Sequence, residues 1–334
     1  MGHNDIGDYF YQRGDLNNAL KSYTRTRDYC TTSKHITNMC LSVIRVSVEL
    51  SNYSYVLNYI AKAEATPDIK DQASISAKLK AAGALAHLDN KKYKQAARLF
   101  IEVPFEIDTS FNEVISSQDI GTYGGLAALA SFDRQELRSK IIDNPAFRQF
   151  LELAPTVRQI IEDFYHSRYS SCLKNLQQLR PELLLDIHLH DHVTSLYQSI
   201  RKKALVQYFT PFQSVSLTKM AETFNVTVPA VSTVLSLCLC GVEIFVFLIL
   251  FHFLSLQLET ELAALIMEGS IEGRIDSFNK VLYARQADQR ATTFEKSIEI
   301  GDQYLRATKA LVLRVNMLKA DFVVRSSKPD IMRV

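Results

Sequence analysis

The sequence predicts a mainly α protein: helical repeats first, then a winged helix with a small β-hairpin, then a long final helix. Three observations carry that prediction. Gly (11) and Pro (8) are scarce in 334 residues and Trp is absent, which disfavours a turn-rich β architecture. A pattern of small and aromatic residues recurs along the first hundred positions. Further on, two short helical patterns precede two β-rich runs around a polar turn, the order helix, turn, helix, hairpin.

In IGDYFYQRGDLNNALKSY two short helices meet at Gly14, small Ala19 lets them approach, and Tyr23 fills the groove between them. KLKAAGALAHLDNKKYKQAARLF repeats this with Gly83, Tyr93, Ala96 and Phe100, and a weaker unit between them has Tyr53, Val56 and Ile60. Ala19, Val56 and Ala96 are 37 and 40 residues apart, a spacing that predicts tetratricopeptide-like hairpins over residues 1–105. Stacked hairpins bury a shared apolar face, and their concave side either takes another protein or serves only as a spacer. Residues 106–205 continue as helices without clear repeat. Asp133 and Glu136 have capping-box spacing, Pro145, Pro155 and Pro181 punctuate short helices, and a longer helix spans roughly His190 to Phe209.

Residues 206–285 carry the winged-helix order. Leu217, Met220, Ala221 and Phe224 follow i, i+3, i+4, i+7 behind a Ser216 cap. Leu258, Leu262, Leu265 and Ile266 mark a second helix that Gly269 can end. Runs at Ile271–Asp276 and Lys280–Ala284 flank a turn at Ser277–Asn279. Residues 286–334 form the last unit, a helix from about Ala287 to Phe322 with Phe294, Ile298, Leu305, Leu311 and Leu318 among charges, and then a tail.

Helical repeats leading into a C-terminal winged helix resemble the PCI family of proteasome-lid, signalosome and initiation-factor subunits. GDYFYQRGDLNNALKSYTRTRDYCTTSKH, DIHLHDHVTSLYQSIRKKALVQYFTPF, RIDSFNKVLYAR and DQRATTFEKS resemble the first-subunit branch of the signalosome, the constitutive photomorphogenesis complex. The resemblance covers nearly the whole chain outside 231–257. A proteasome-lid scaffold of the same layout is the alternative, with TRTRDYCTTSKH favouring the signalosome form. The resemblance implies a non-catalytic scaffold, without cofactor, in a complex that removes the ubiquitin-like modifier Nedd from cullin-based ubiquitin ligases. It implies other PCI subunits as partners, the second and third by family likeness, and a place in nucleus and cytoplasm. It also implies a helical region before His3-Asn4-Asp5, so that Met1 reads as an internal methionine, and a tail after Lys328 that reads as short.

Two surfaces are expected to join those partners. One is the wing, at Lys280, Val281, Leu282 and Tyr283, read as an exposed edge strand whose unpaired backbone groups allow sheet extension. The other is the final helix, through Phe294, Ile298, Leu305, Leu311 and Leu318, entering a shared bundle or else packing back on its own domain.

One stretch departs from this pattern. VSTVLSLCLCGVEIFVFLILFHFLSLQ, residues 231–257, holds one acid, Glu243, and no Lys or Arg. It is long enough for a membrane span, but Lys219 and Arg274, the nearest cations on either side, give no positive-inside asymmetry. Joining Ala230 to Leu258 restores one helical face through Val228, Leu258, Leu262 and Leu265, with Thr227 as N-cap and Pro229 in the first turn. The stretch begins with Val (GU codons), ends with Gln (CAG), and carries the Phe, Leu and Ser of a translated pyrimidine tract. It reads first as a retained intron or gene-model error; a membrane anchor and an unusual buried insertion are the alternatives.

Little else suggests chemistry. Lys+Arg 38 against Asp+Glu 36 gives net +2, so no global field favours nucleic acid or a membrane surface. Cys30, Cys40, Cys172, Cys238 and Cys240 have neither CxxC spacing nor a disulfide framework, which predicts a reducing compartment, and the N-terminus does not read as a secretory signal. No phosphate loop or nucleophile elbow occurs, and GTYGGLAALAS reads as close helix packing. In Asp186–His192 only His188 and His192, at i and i+4, could share a metal on a helix. The metal pattern of the signalosome's catalytic subunits fails there, so surface histidines are expected and no metal site. Glu259, Glu261 and Glu268 on the second helix of the winged helix would repel phosphates, and Arg201-Lys202-Lys203 reads as a solvated face.

Overall fold

A computed structural model describes residues 2–30, 32–66, 73–105, 114–224, 258–285 and 289–320. The fold is mainly helical. α1 (Gly2–Gln12) and α2 (Leu16–Thr26), α3 (Ser33–Glu49) and α4 (Tyr53–Glu64), and α5 (Ala73–Asp89) and α6 (Tyr93–Ile101) form three successive hairpins.

The first helix of each pair stops in the same way. Gly14, Ser51 and Lys91 take positive φ of 76°, 55° and 58°. The following N–H then reaches back five residues: Asp15 to the Phe10 carbonyl, Asn52 to Ser47 and Lys92 to His87, at 3.0, 2.9 and 2.9 Å. This is the Schellman ending, which satisfies carbonyls that the helix leaves open. Five residues after each turn comes a wholly buried side chain, Ala19, Val56 or Ala96, and nine after it comes Tyr23, Ile60 or Phe100. Gly83 lies inside α5, so Lys91 holds the turn of the third hairpin.

The same device recurs where the sequence showed no repeat. α10 (Pro155–Tyr165) and α11 (Tyr169–Leu184) turn at Ser167, φ 61°. Arg168 N–H bonds the Asp163 carbonyl at 2.8 Å, and Cys172 and Leu176 take the buried places five and nine residues on. This hairpin was not read from the sequence because Cys172 and Leu176 do not repeat the small and aromatic pairs Ala19/Tyr23 and Ala96/Phe100.

Between these hairpins lies α7 (Ser117–Ser131), buried along most of its length. Its glycines allow close approach: a Cβ on Gly121 would stand 2.6 Å from the Phe150 carbonyl oxygen, and one on Gly125 2.7 Å from Val157 Cγ1. The predicted capping box at Asp133 does not form. Asp133 is the N-cap of α8 (Arg134–Leu137) without a side-chain bond, because Glu136 turns to Lys94, Arg98 and Lys140 at 3.1, 3.8 and 3.0 Å. Hydrogen bonds from Lys140 and then Lys94 hold the Glu136 carboxyl down to about 2. A capping box does form unpredicted, between Ser116 and Asp119. A π turn (Arg138–Ile142) and α9 (Pro145–Leu153) complete this region.

The winged helix follows as α12 (Val193–Phe209), β1 (Ser214–Ser216), α13 (Leu217–Phe224), α14 (258–267), β2 (Gly273–Asp276) and β3 (Val281–Ala284). Leu217, Met220, Ala221 and Phe224 are fully buried, as are Leu258, Leu262 and Leu265. Gly269, φ 72°, ends α14 with Ser270 N–H on the Leu265 carbonyl at 2.9 Å, the predicted stop. Residues 225–257 lie outside the described residues, and with them the predicted intrusion at 231–257, the Thr227 cap, Pro229 and the restored face across Ala230. α15 (Gln289–Lys319) is the last helix described.

Candidate assembly interface

The wing is built differently from the expectation. The sheet order is β1-β3-β2, antiparallel throughout. β3 is therefore the central strand, paired on both sides, and the expected free edge at Lys280–Ala284 is corrected. The cause is β1: Ser214–Ser216 precedes α13 and pairs with Val281–Tyr283, a three-residue strand too short and too polar to signal itself in sequence. Leu282 is wholly buried, Val281 half-buried, and Tyr283 44% exposed. Lys280, φ 55°, puts its Nζ 2.6 Å from Glu259 Oε1 and its carbonyl under the Leu217 N–H at 2.8 Å. It is a brace between wing and helices.

The free edges belong to β1 and β2. Arg285 N–H bonds the Glu272 carbonyl at 2.9 Å. With alternate residues of an antiparallel strand facing its partner, Gly273 and Ile275 turn their backbone groups away from β3. At the tip, Asp276 Oδ1 accepts the Phe278 and Asn279 N–H groups at 3.1 and 3.2 Å and fixes the turn.

The basic run on α12 is a solvated face only at Lys202, which is exposed, while Arg201 and Lys203 are half-buried. Arg201 Nε meets Glu261 at 2.9 Å, and its Nη1 donates to the Phe224 carbonyl at 3.2 Å. Lys202 meets Glu268 at 2.8 Å. Lys203 donates to the Leu129 carbonyl at 3.0 Å, and burial pushes its ammonium down to about 8. With Lys280 on Glu259, all three acids of the 258–268 segment are ion-paired within the module, Glu268 at its surface. Opposite charges on two helices of one module were the available signal, and it was missed.

α15 is the most exposed element. About 46 Å long at 1.5 Å per residue, it has no buried residue among its described side chains, and only Thr308 and Met317 are partly covered. Phe294 is 67% exposed, Leu311 63% and Leu318 72%, and Ile298 and Leu305 are also exposed. Among the described residues, the alternative that this helix packs back on its own domain is not seen. Ile300, Tyr304, Val312, Leu313 and Val315 are exposed as well, apolar residues that the sequence reading left out.

Residues 187–192 form turns, and α12 begins only at Val193. His192 is buried with Nδ1 3.5 Å from the Tyr93 hydroxyl, and His190 pairs with Asp191 at 3.0 Å. Among the described residues no group of His, Cys, Asp and Glu could hold a metal, and no helix is long and apolar enough to cross a membrane.

Comparison with known proteins agrees with this layout. The family model described as 26S proteasome subunit RPN7 matches residues 1–140, the PCI domain matches 176–286, and the C-terminal helix of COP9 signalosome complex subunit 1 matches 289–315. COP9 signalosome complex subunit 1 of Arabidopsis thaliana is 50% identical over 98% of this chain and 68% of its own length. The chain belongs to the COP9 signalosome subunit 1 family. Subunit 1b of Drosophila melanogaster is 45% identical over 97% of the chain, and subunit 1 of Emericella nidulans 36% over 99%. The chain spans 58% and 63% of those two relatives. The PCI match runs from inside α11 to the end of the wing, and the family's helix match falls within α15.

Proposed function

We propose that the chain is a non-catalytic scaffold of the signalosome, joining other PCI subunits through its wing and through α15. On this reading it supports removal of Nedd from cullin-based ligases while another subunit holds the metal. The second and third subunits are the proposed neighbours, in nucleus and cytoplasm, and the unit boundaries at 105, 205 and 285 separate repeats, linking helices, winged helix and bundle helix.

The exposure of α15 carries this reading. Fully burying one Leu, Ile or Phe side chain contributes about 1.5–3 kcal/mol, and an isolated helix gains little from propensity alone. At 100° per residue, Phe294, Ile298, Leu305 and Val312 form one seam and Ile300, Tyr304, Leu311, Val315 and Leu318 a second, about 110° round the helix. Two seams suit a helix held between two neighbours in a bundle better than one side of a two-stranded coil. At the wing, β2 offers the outward backbone of Gly273 and Ile275, with Tyr283 beside it on the sheet face. Lys280, Val281 and Leu282 support that edge from within.

The test is co-purification with the other PCI subunits of the complex. The full chain is expected to co-purify, residues 1–288 to be lost, and Ile275→Pro, which removes an outward N–H at an edge where Pro is tolerated, to weaken the wing contact without unfolding. Unchanged recovery of both variants would refute the reading.

A further inference from the structure

At the joint between the helical repeats and the winged helix lies a cleft of about 510 Å³, within the range of about 300–1,000 Å³ that takes ligands. It belongs to neither the wing edge nor α15. Its walls come from three places in the chain: Arg134 on α8, Ser167 and Tyr169 at the α10–α11 turn, and Gln207, Tyr208 and Phe212 at the end of α12. The aromatic rings form one continuous cluster. Tyr208 lies 5.7 Å from Phe212 and 6.2 Å from Tyr169, centroid to centroid, and Phe224 backs both tyrosines.

Two polar groups in this cleft are not used up by the fold. Arg134 Nη2 donates to the Tyr165 carbonyl and, at 3.2 Å, to Ser167 Oγ. A guanidinium has five N–H donors, and among the described residues none accepts from Arg134 Nε or Nη1. Gln207 Oε1 is buried with no donor, an arrangement that destabilises a fold unless something else answers it. Among the described residues Arg134 is the only charged side chain lining the cleft.

We propose that this cleft docks an extended peptide segment of a partner protein that carries an acidic residue next to an aromatic one. The carboxylate meets the free edge of the Arg134 guanidinium, a charge-assisted and planar contact. The aromatic side chain stacks within the Tyr169, Tyr208 and Phe212 cluster. A backbone N–H of the segment supplies the donor that Gln207 Oε1 lacks, reached by rotation about the last side-chain torsion, which has a broad two-fold profile. A basic segment is disfavoured by Arg134, and a purely apolar one leaves both polar groups unanswered.

The test uses the full chain and three fluorescein-labelled peptides in a Gly/Ser background, containing Asp-Phe, Lys-Phe or Asp-Ser. Fluorescence anisotropy is expected to show Asp-Phe binding at least about tenfold more tightly than either control, the equivalent of one such contact. Gln207→Leu is expected to weaken Asp-Phe about tenfold while the thermal midpoint stays equal or rises, since it removes the orphaned oxygen. Phe212→Ser is expected to lose binding, and Arg134→Glu to lose or reverse the acidic preference. A purely structural role for Gln207 would change the midpoint and leave binding alone. The proposal is overturned if no peptide binds, if a control binds as well as Asp-Phe, or if Gln207→Leu and Phe212→Ser bind like the parent.

Discussion

Arg201→Met should loosen the winged helix more than any other single surface change, because one guanidinium holds both of its helices. Nε on Glu261 and Nη1 on the Phe224 carbonyl, at 2.9 and 3.2 Å, tie α14 and the end of α13 to α12. Hydrogen bonds to charged groups contribute about 1.5–3 kcal/mol each when well buried. Both side chains of this pair are about 30% exposed (29% and 32%), so solvent screening takes roughly half of that. The expected loss is about 2 kcal/mol, which raises local opening about thirtyfold. Hydrogen exchange read by mass spectrometry over 214–224 and 258–267 measures it, with α3 as an internal control. In a double-mutant cycle Glu261→Gln should couple to Arg201→Met by about 1 kcal/mol. Exchange in the two segments accelerated less than about threefold, or no coupling, would refute the bracket.

Other consequences can be measured separately. Ser51→Gly and Lys91→Gly should each raise stability by about 0.5–1 kcal/mol in urea denaturation, because glycine takes the left-handed turn without strain. Relative to Lys203→Met, the parent should gain stability from about pH 8 to 9.5 through Lys203, a comparison that cancels the opposite pull of the buried Cys40 and Cys172 thiols, raised to about 11 and 12. The folded value of Lys203 is depressed to about 8 from 10.5, so in that window this lysine binds more of its proton in the unfolded chain; equal pH dependence of the parent and Lys203→Met in urea denaturation would refute this. Removing residues 231–257 should leave exchange in α14 unchanged or slower. Arg201 already brings Phe224 to Glu261, and the six residues 225–230 can span up to about 20 Å. Faster exchange would show that the stretch supports the module.

Most of the architecture was legible because it rests on local patterning. The face of α13, the stop at Gly269 and the close packing at Gly121 and Gly125 each follow from residue type and spacing. The fourth hairpin was hidden because Cys172 and Leu176 fill its buried places without the small-then-aromatic pair that marked Ala19/Tyr23 and Ala96/Phe100. The wing was placed, but its edge was misassigned, since strand order depends on β1, whose three residues carry no period. Arg201 and Lys203 were read as solvent-facing because their partners, Glu261 and the Leu129 carbonyl, lie on other elements that meet α12 only in space. For α15 the apolar spacing alone left a shared bundle and packing on its own domain both open, and among the described residues no core receives it.

Assembly through α15 is the central claim, and native mass spectrometry of the signalosome reconstituted with Leu305→Asp or Leu311→Asp tests it most directly. The two residues lie on different seams, so each variant should release a different neighbour while the isolated chain keeps its helical content. Complexes of parental composition with both variants would contradict the account.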